Sequence, residues 1–239
     1  MSQFKALFFD LDGTLLDLDM RAFLGQYLQL AARRLASLIP PEQFIPHLLK
    51  ATSIMVENDG QATNETVFWD VFTPLVERER AELEPVFEAF YAEDFPQLRA
   101  LARPKRGARA VVESALAVGY AVLITTNPLF PATAIIQRLE WAGLDDLPFR
   151  RVTTYENSRY CKPNLRFFDA LAKELGCSAG ECLVVGDEDM DMVAALAGYP
   201  TFLTPSATTN LSPTTPNPTY CGDLADVAAL LQTGNASRH

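Results

Sequence analysis

The segment Phe8-Phe9-Asp10-Leu11-Asp12-Gly13-Thr14-Leu15-Leu16-Asp17 joins two signals. Ala6 to Phe9 is an unbroken apolar run that reads as a short strand buried on both faces, and Asp12-Gly13 follows as a turn. Such strands occupy the middle of parallel sheets, whose ligands bind beyond the strands' carboxyl ends. Asp10 therefore stands at a strand tip, with Asp12 two residues on along the same side. Two carboxylates held that close repel unless a cation or a shared proton compensates. An ordinary Asp-Gly turn is the plain alternative, and the rest of the chain decides between the two.

Beyond Asp17 the pattern changes. Phe23, Leu24, Tyr27, Leu28, Leu30, Ala31, Leu35 and Leu38 recur at helical spacing up to Pro40-Pro41, and residues 42–56 continue as a second helix. Asn58-Asp59-Gly60-Gln61 is a turn, placed where it could face the site and select a leaving group. Amphipathic segments follow over residues 64–72, 74–84 and 85–91. With no alternating strand pattern among them, residues 17–105 read as an all-helical insertion.

Strands and helices then alternate. A helix over residues 107–118 precedes the apolar run Ala121–Ile124, with Thr125-Thr126-Asn127 at its tip. A helix over 131–141 ends near Gly143, and residues 151–154 form a short strand. Tyr160-Cys161-Lys162-Pro163-Asn164 leads into a helix that reaches Leu175, with Pro163 in its first turn. Residues 181–186 are a further apolar strand running directly into Asp187-Glu188-Asp189-Met190-Asp191. A helix to Gly198, a strand at Thr201–Leu203, a mobile Thr/Pro/Ser-rich loop over 204–219, a helix over 223–231 and a tail over 233–239 complete the chain. This alternation predicts an α/β fold.

The 239 residues are 49% hydrophobic, enough for a real core, and carry a formal charge of −10. That charge and a pI near 4.7 argue against a nucleic-acid backbone as partner. They leave room for an anionic metabolite, because local cations can dominate a site. Cys161, Cys177, Cys182 and Cys221 lack zinc-type spacing and read as reduced thiols. His47 and His239, the two histidines, do not suffice for a histidine triad or zinc centre. Neither a secretory signal nor a membrane-length apolar span is found, so a cytoplasmic, membrane-free protein is expected, as a monomer or homodimer.

Asp10-Leu11-Asp12-Gly13-Thr14-Leu15 after an apolar strand resembles the first motif of the haloacid dehalogenase-like (HAD) phosphohydrolases. Three more motifs of that family have counterparts here, each at a strand end: Thr126-Asn127, with Thr125 as the alternative; Lys162-Pro163; and Gly186-Asp187 with Asp191. The resemblance spans Asp10 to Asp191 and is similar to the C1-capped, phosphoglycolate phosphatase-like members. It implies a doubly wound, Rossmann-like, mostly parallel core over residues 1–16 and 106–239, with a helical cap domain over 17–105. Asp10 would be the nucleophile and Asp12 the general acid/base. Thr126, Asn127 and Lys162 would hold the phosphoryl oxygens. Asp10, Asp187 and the Asp12 carbonyl would bind Mg²⁺, with Asp191 orienting its waters or Lys162, while Glu188 and Asp189 serve as helix caps. Dehalogenases of the family lack an acid at the Asp12 position, which favours a Mg²⁺-dependent phosphatase of small phosphorylated metabolites. A sugar-phosphate phosphomutase and an inactive interaction protein on the same fold are the alternatives.

Overall fold

The computed structural model describes residues 4–233, so the expected tail lies, after Thr233, outside the described residues. In chain order the first elements are β1 (Ala6–Phe9), β2 (Leu16–Leu18), α1 (Met20–Leu35), α2 (Pro41–Val56), α3 (Asn64–Val76), α4 (Arg80–Ala89) and β3 (Ala102–Pro104). They are followed by α5 (Ala108–Val118), β4 (Ala121–Ile124), α6 (Ala132–Ala142), β5 (Arg151–Val152) and α7 (Leu165–Leu175). The chain closes with β6 (Cys182–Gly186), α8 (Asp189–Met192), β7 (Thr201–Leu203), β8 (Tyr220–Cys221) and α9 (Leu224–Thr233).

Four consecutive apolar residues need cover on both faces, and β1 receives it in the middle of the sheet. The strand order is β5-β4-β1-β6-β7-β8, with every neighbouring pair parallel. Side chains alternate across the sheet. Leu7 and Phe9 pack with Val111, Val112 and Leu231 of α5 and α9, whereas Ala6 and Phe8 pack with Phe168 and Leu171 of α7. This is the doubly wound α/β class. The register places Phe9 opposite both Ile124 and Val185, so the residues after β1, β4 and β6 meet at one edge.

Between β2 and β3 lies the helical cap, α1 to α4 followed by a π-helical turn at Phe90–Asp94 and a 3-10 helix at Phe95–Leu101. Its entry and exit strands pair antiparallel, Leu16 opposite Pro104 and Leu18 opposite Ala102. The purely helical expectation missed this ribbon because three-residue strands are too short to show alternation. The helix breaks also differ. Pro74 and Pro85 lie inside α3 and α4 rather than starting helices. The break comes at Glu77, left-handed with φ 53°, and α4 starts from the Glu79–Glu82 capping box. Likewise Pro163 precedes α7, whose N-cap is Asn164, and the Lys162–Pro163 peptide is cis.

The cap is bonded to the core along the segment that was expected to face substrate. Asn64 N donates to Ser158 O (2.8 Å) and Glu65 N to Tyr155 O (2.9 Å). The Asn64 side-chain amide reaches Pro128 O (3.2 Å), and Gln137 Nε2 reaches Tyr91 O (2.7 Å). Asn58 is buried and donates to Asn64 Oδ1 at 2.8 Å, while Gln61 bonds Asp59. Both side chains are committed to the turn and its docking, and neither lines the cavity that Asp10, Asp12 and Lys162 border.

The 204–219 segment, expected to be mobile, is tied down. Thr209 Oγ1 donates to Asp187 O (2.8 Å), Ser212 N donates to Asp189 Oδ1 (3.0 Å), and β8 adds a sixth strand. Short hydroxyl side chains satisfy backbone groups locally here, a form of order that composition does not reveal. All four cysteines are free. Among the described residues no helix is long and apolar enough to cross a membrane.

Replacing Asn64 with Ala removes the Pro128 bond and one of the two acceptors of the buried Asn58 Nδ2, which keeps Ala62 O. The variant is expected to lose about 1–3 kcal/mol, measured as a lower urea midpoint at unchanged m-value.

Candidate active site

The site assembles where β1, β4 and β6 end. Asp10 N donates to Val185 O (2.9 Å) and Thr125 N to Phe9 O (2.7 Å), so the ladder continues one residue past the strands and fixes both positions. Two glycines let the carboxylates converge. Gly13 has φ +88°, and a Cβ there would lie 2.2 Å from Asp187 Oδ2. At Gly186 a Cβ would lie 2.2 Å from Asp191 Cγ. Any larger residue would push the acids out of the site.

Lys162 is the central cation, 2% exposed. Its Nζ donates to Asp10 Oδ1 at 2.8 Å and to Asp191 Oδ1 at 2.5 Å. Burial works against the ammonium, but the Asp10 and Asp191 carboxylates outweigh it and raise the Lys162 pKa. The loop that carries Lys162 is set by Asn127, whose Oδ1 accepts from Lys162 N at 3.1 Å. Thr126 is buried, and its carbonyl accepts from Thr153 Oγ1 at 2.6 Å. Asp10, Asp12, Thr126, Asn127, Lys162 and Asp191 all line one cavity of about 190 Å³.

Asp187 sits behind this wall, accepting from Thr14 Oγ1 at 3.2 Å. One oxygen each from Asp10, Asp187 and Asp191 lies within 4.8 Å of the others. An all-oxygen, anionic donor set of this kind suits a hard divalent cation. Burial pushes the Asp187 pKa up to about 7, with the Asp10 charge adding to it. Burial also raises Asp191, against the pull of Lys162. The residues present therefore fit a metal: the cluster holds more negative charge than its own cations balance.

Three residues of the site gave no motif. Arg138 of α6 is 1% exposed and ion-paired to Asp12 Oδ2. Its guanidinium lies over the rings of Phe130 (4.7 Å) and Phe23 (5.9 Å). Burial raises the Asp12 pKa to about 6 while Arg138 opposes the rise. The signal was present in α6, where Arg138 interrupts the buried stripe of Ile135, Leu139 and Ala142; a charge at such a position requires a counter-charge. Lys105, just past β3, donates its Nζ to Gly13 O, and nothing in its sequence setting marks it. Glu188 does cap α8, as expected, but it also lines the cavity. Asp189 stays outside, holding Ser212 and Thr215.

These groups make two predictions. The carboxyls of Asp12 and Asp187 have pKa values raised from 3.8 to about 6 and about 7. The folded metal-free protein therefore keeps protons that the unfolded chain has released, and its stability rises as pH falls from 8 towards 5. Melting curves of chelated protein should show this rise, and added Mg²⁺ should raise the melting temperature more at pH 8 than at pH 5. Arg138→Met leaves Asp12 buried without its cation, at a cost of about 3 kcal/mol at pH 8. At pH 5, where Asp12 is protonated, urea unfolding should show a clearly smaller loss.

The family model of haloacid dehalogenase-like hydrolases matches residues 4–198. No curated protein sequence matches the chain. Among solved structures, a HAD phosphatase from Thermococcus onnurineus superposes with a TM-score of 0.61 at 19% identity, covering 95% of this chain and 97% of that one. A predicted phosphoglycolate phosphatase from Haemophilus somnus gives 0.58 at 21% identity, covering 96% and 99%. The L-2-haloacid dehalogenase from Xanthobacter autotrophicus gives 0.56 at 18% identity, covering 96% and 98%. At these identities the superpositions speak for the fold, whereas the family match extends over most of the sequence, from ahead of β1 to Gly198. The chain belongs to the haloacid dehalogenase-like hydrolases.

Proposed function

We propose that this hydrolase is a Mg²⁺-dependent phosphatase of small phosphomonoesters. The observation that carries the reading is that Asp10 and Asp12 line one cavity together with Thr126 and Lys162. A carbon–halogen bond breaks without help from an acid, because halide is a stable anion. An alkoxide is strongly basic and leaves only when protonated. An acid facing the same cavity as the nucleophile therefore favours an alcohol leaving group over a halide.

In this mechanism an Asp10 carboxylate oxygen attacks phosphorus as the bond to the alcohol oxygen breaks, and Asp12 gives that oxygen its proton. Water then attacks the phosphorus of the aspartyl-phosphate, passes a proton back to Asp12 and releases Asp10 as carboxylate. Lys162 and Thr126 hold phosphoryl oxygens throughout, and Asn127 keeps the Lys162 loop in register. Asp10, Asp187 and the Asp12 carbonyl would hold Mg²⁺, which would offset the carboxylate charge and draw electron density from the phosphoryl group. Asp191 keeps the Lys162 ammonium aimed at the nucleophile.

Phosphate release from a panel of phosphomonoesters should require Mg²⁺ and stop with chelator. Asp10→Asn should lower kcat at least about a thousandfold, and Asp12→Asn roughly 10²–10⁴-fold, both with unchanged circular dichroism. Near-wild-type turnover by Asp10→Asn would remove the nucleophile assignment.

A further inference from the structure

A second cavity, of about 180 Å³, lies between the helical cap and the core loops that carry Leu129, Phe130, Pro131 and Tyr155. Leu24, Leu129 and Phe130 line both it and the cavity that holds Asp10 and Lys162, so the two spaces share a wall. Its walls include Tyr27, Leu48, Phe68, Trp69, Phe87 and Tyr155, and no charged side chain lines it. Among its polar groups, the Tyr27 and Tyr91 hydroxyls bond each other at 3.0 Å and Thr52 Oγ1 donates to Leu48 O at 2.9 Å, which leaves the buried Trp69 Nε1 as a single donor without a partner among the described residues. The Arg138 cation lies over Phe130 in the wall shared with the catalytic cavity and does not line this one.

Size and chemistry narrow the occupant. An apolar cavity of about 150 Å³ stays dry and admits benzene, so about 180 Å³ has room for one ring or a short alkyl chain. A sugar placed here would find one free donor, Trp69 Nε1, and would bury its remaining hydroxyls without partners, each costing roughly tenfold in affinity or more. The lining also includes Leu24 and Leu49, large apolar side chains left 39% and 52% exposed. An apolar guest would cover them.

We propose that this cavity receives the alcohol part of the substrate, and that this part is apolar: a single aromatic ring or an alkyl chain of about six carbons. The inference rests on the phosphatase reading and gives it a substrate class. Phosphate would sit at Asp10 and Lys162, with the carbon body passing Leu24 and Phe130 into the cap.

The test uses primary n-alkyl phosphates from ethyl to hexyl. Their alkoxides are of nearly equal basicity, so chain length reports burial alone. At about 0.8 kcal/mol per buried methylene, kcat/KM should rise roughly fourfold per carbon and on the order of a hundredfold from ethyl to hexyl. Separately, 1-hexanol should bind phosphate-free protein and shift the emission of Trp69, which lines the cavity. Thr52→Phe fills the space and should bring the hexyl-to-ethyl ratio towards one and abolish hexanol binding. Leu49→Phe, at a half-exposed position, provides the same reading if the first variant does not fold.

Hydrolysis that is flat or falling with chain length, with no hexanol binding, would overturn the inference and leave the phosphatase reading standing. Hexanol binding that survives both variants would also overturn it. Hexanol binding lost in the filled variant, with no hydrolysis of any phosphate, would retain the apolar site and reject the phosphatase reading instead.

Discussion

Four carboxylates, those of Asp10, Asp12, Asp187 and Asp191, converge where β1 and β6 end, and the site depends on balancing their charge. Each counter-charge arrives from a different part of the chain. Lys162 comes from the loop before α7 and bridges Asp10 and Asp191. Arg138 comes from α6 and pairs with Asp12. Asp187 is met by hydroxyls, those of Thr14 and Ser206, and by no ion pair among the described residues, with Lys105 bound nearby at Gly13 O. Removal from water makes each unbalanced acid costly and draws its pKa upward. That unmet demand at Asp187 is the physical basis for reading a cation site there.

The two glycines show how closely backbone and charge are coupled. Gly13 and Gly186 leave no room for a Cβ, because the Asp187 and Asp191 carboxylates occupy the space. The acids are thus placed by strand pairing and kept by the absence of side chains around them. The cap follows a different logic. It is packed with aromatic rings, among them Phe44, Phe68, Phe72 and Phe87, and it meets the core through backbone hydrogen bonds at Asn64 and Glu65. Phe130 joins the two parts, lying under Arg138 on the catalytic side and lining the cap cavity as well.

The readable part of the site was the part encoded by short contiguous patterns. Asp10 and Asp187 follow an apolar strand directly and Thr126 follows one a residue later, and parallel register brings strand ends together, so local sequence was enough to place them side by side. Lys162 was readable from its order among those motifs. Arg138 was marked only as a charge within the buried stripe of α6, and Lys105 not at all, because their partners, Asp12 and Gly13 in the turn after β1, are distant in sequence. The short β2–β3 ribbon and the hydroxyl bonds that hold the 204–219 segment escaped for a related reason: three residues give no period, and side chain-to-backbone bonds leave no trace in hydropathy.

By itself, the sequence determined the α/β class, the helical insertion after the first strand, and the acids and lysine of the four motifs, since these follow from hydrophobic period and from residues adjacent in the chain. Only the tertiary structure decided that Asp12 is paired to a buried arginine 126 positions away, that Asn58 and Gln61 serve the turn and its docking rather than the catalytic cavity, and that an apolar cavity adjoins the catalytic one. Those outcomes depend on contacts between distant segments, where packing and charge balance, not local preference, set the geometry.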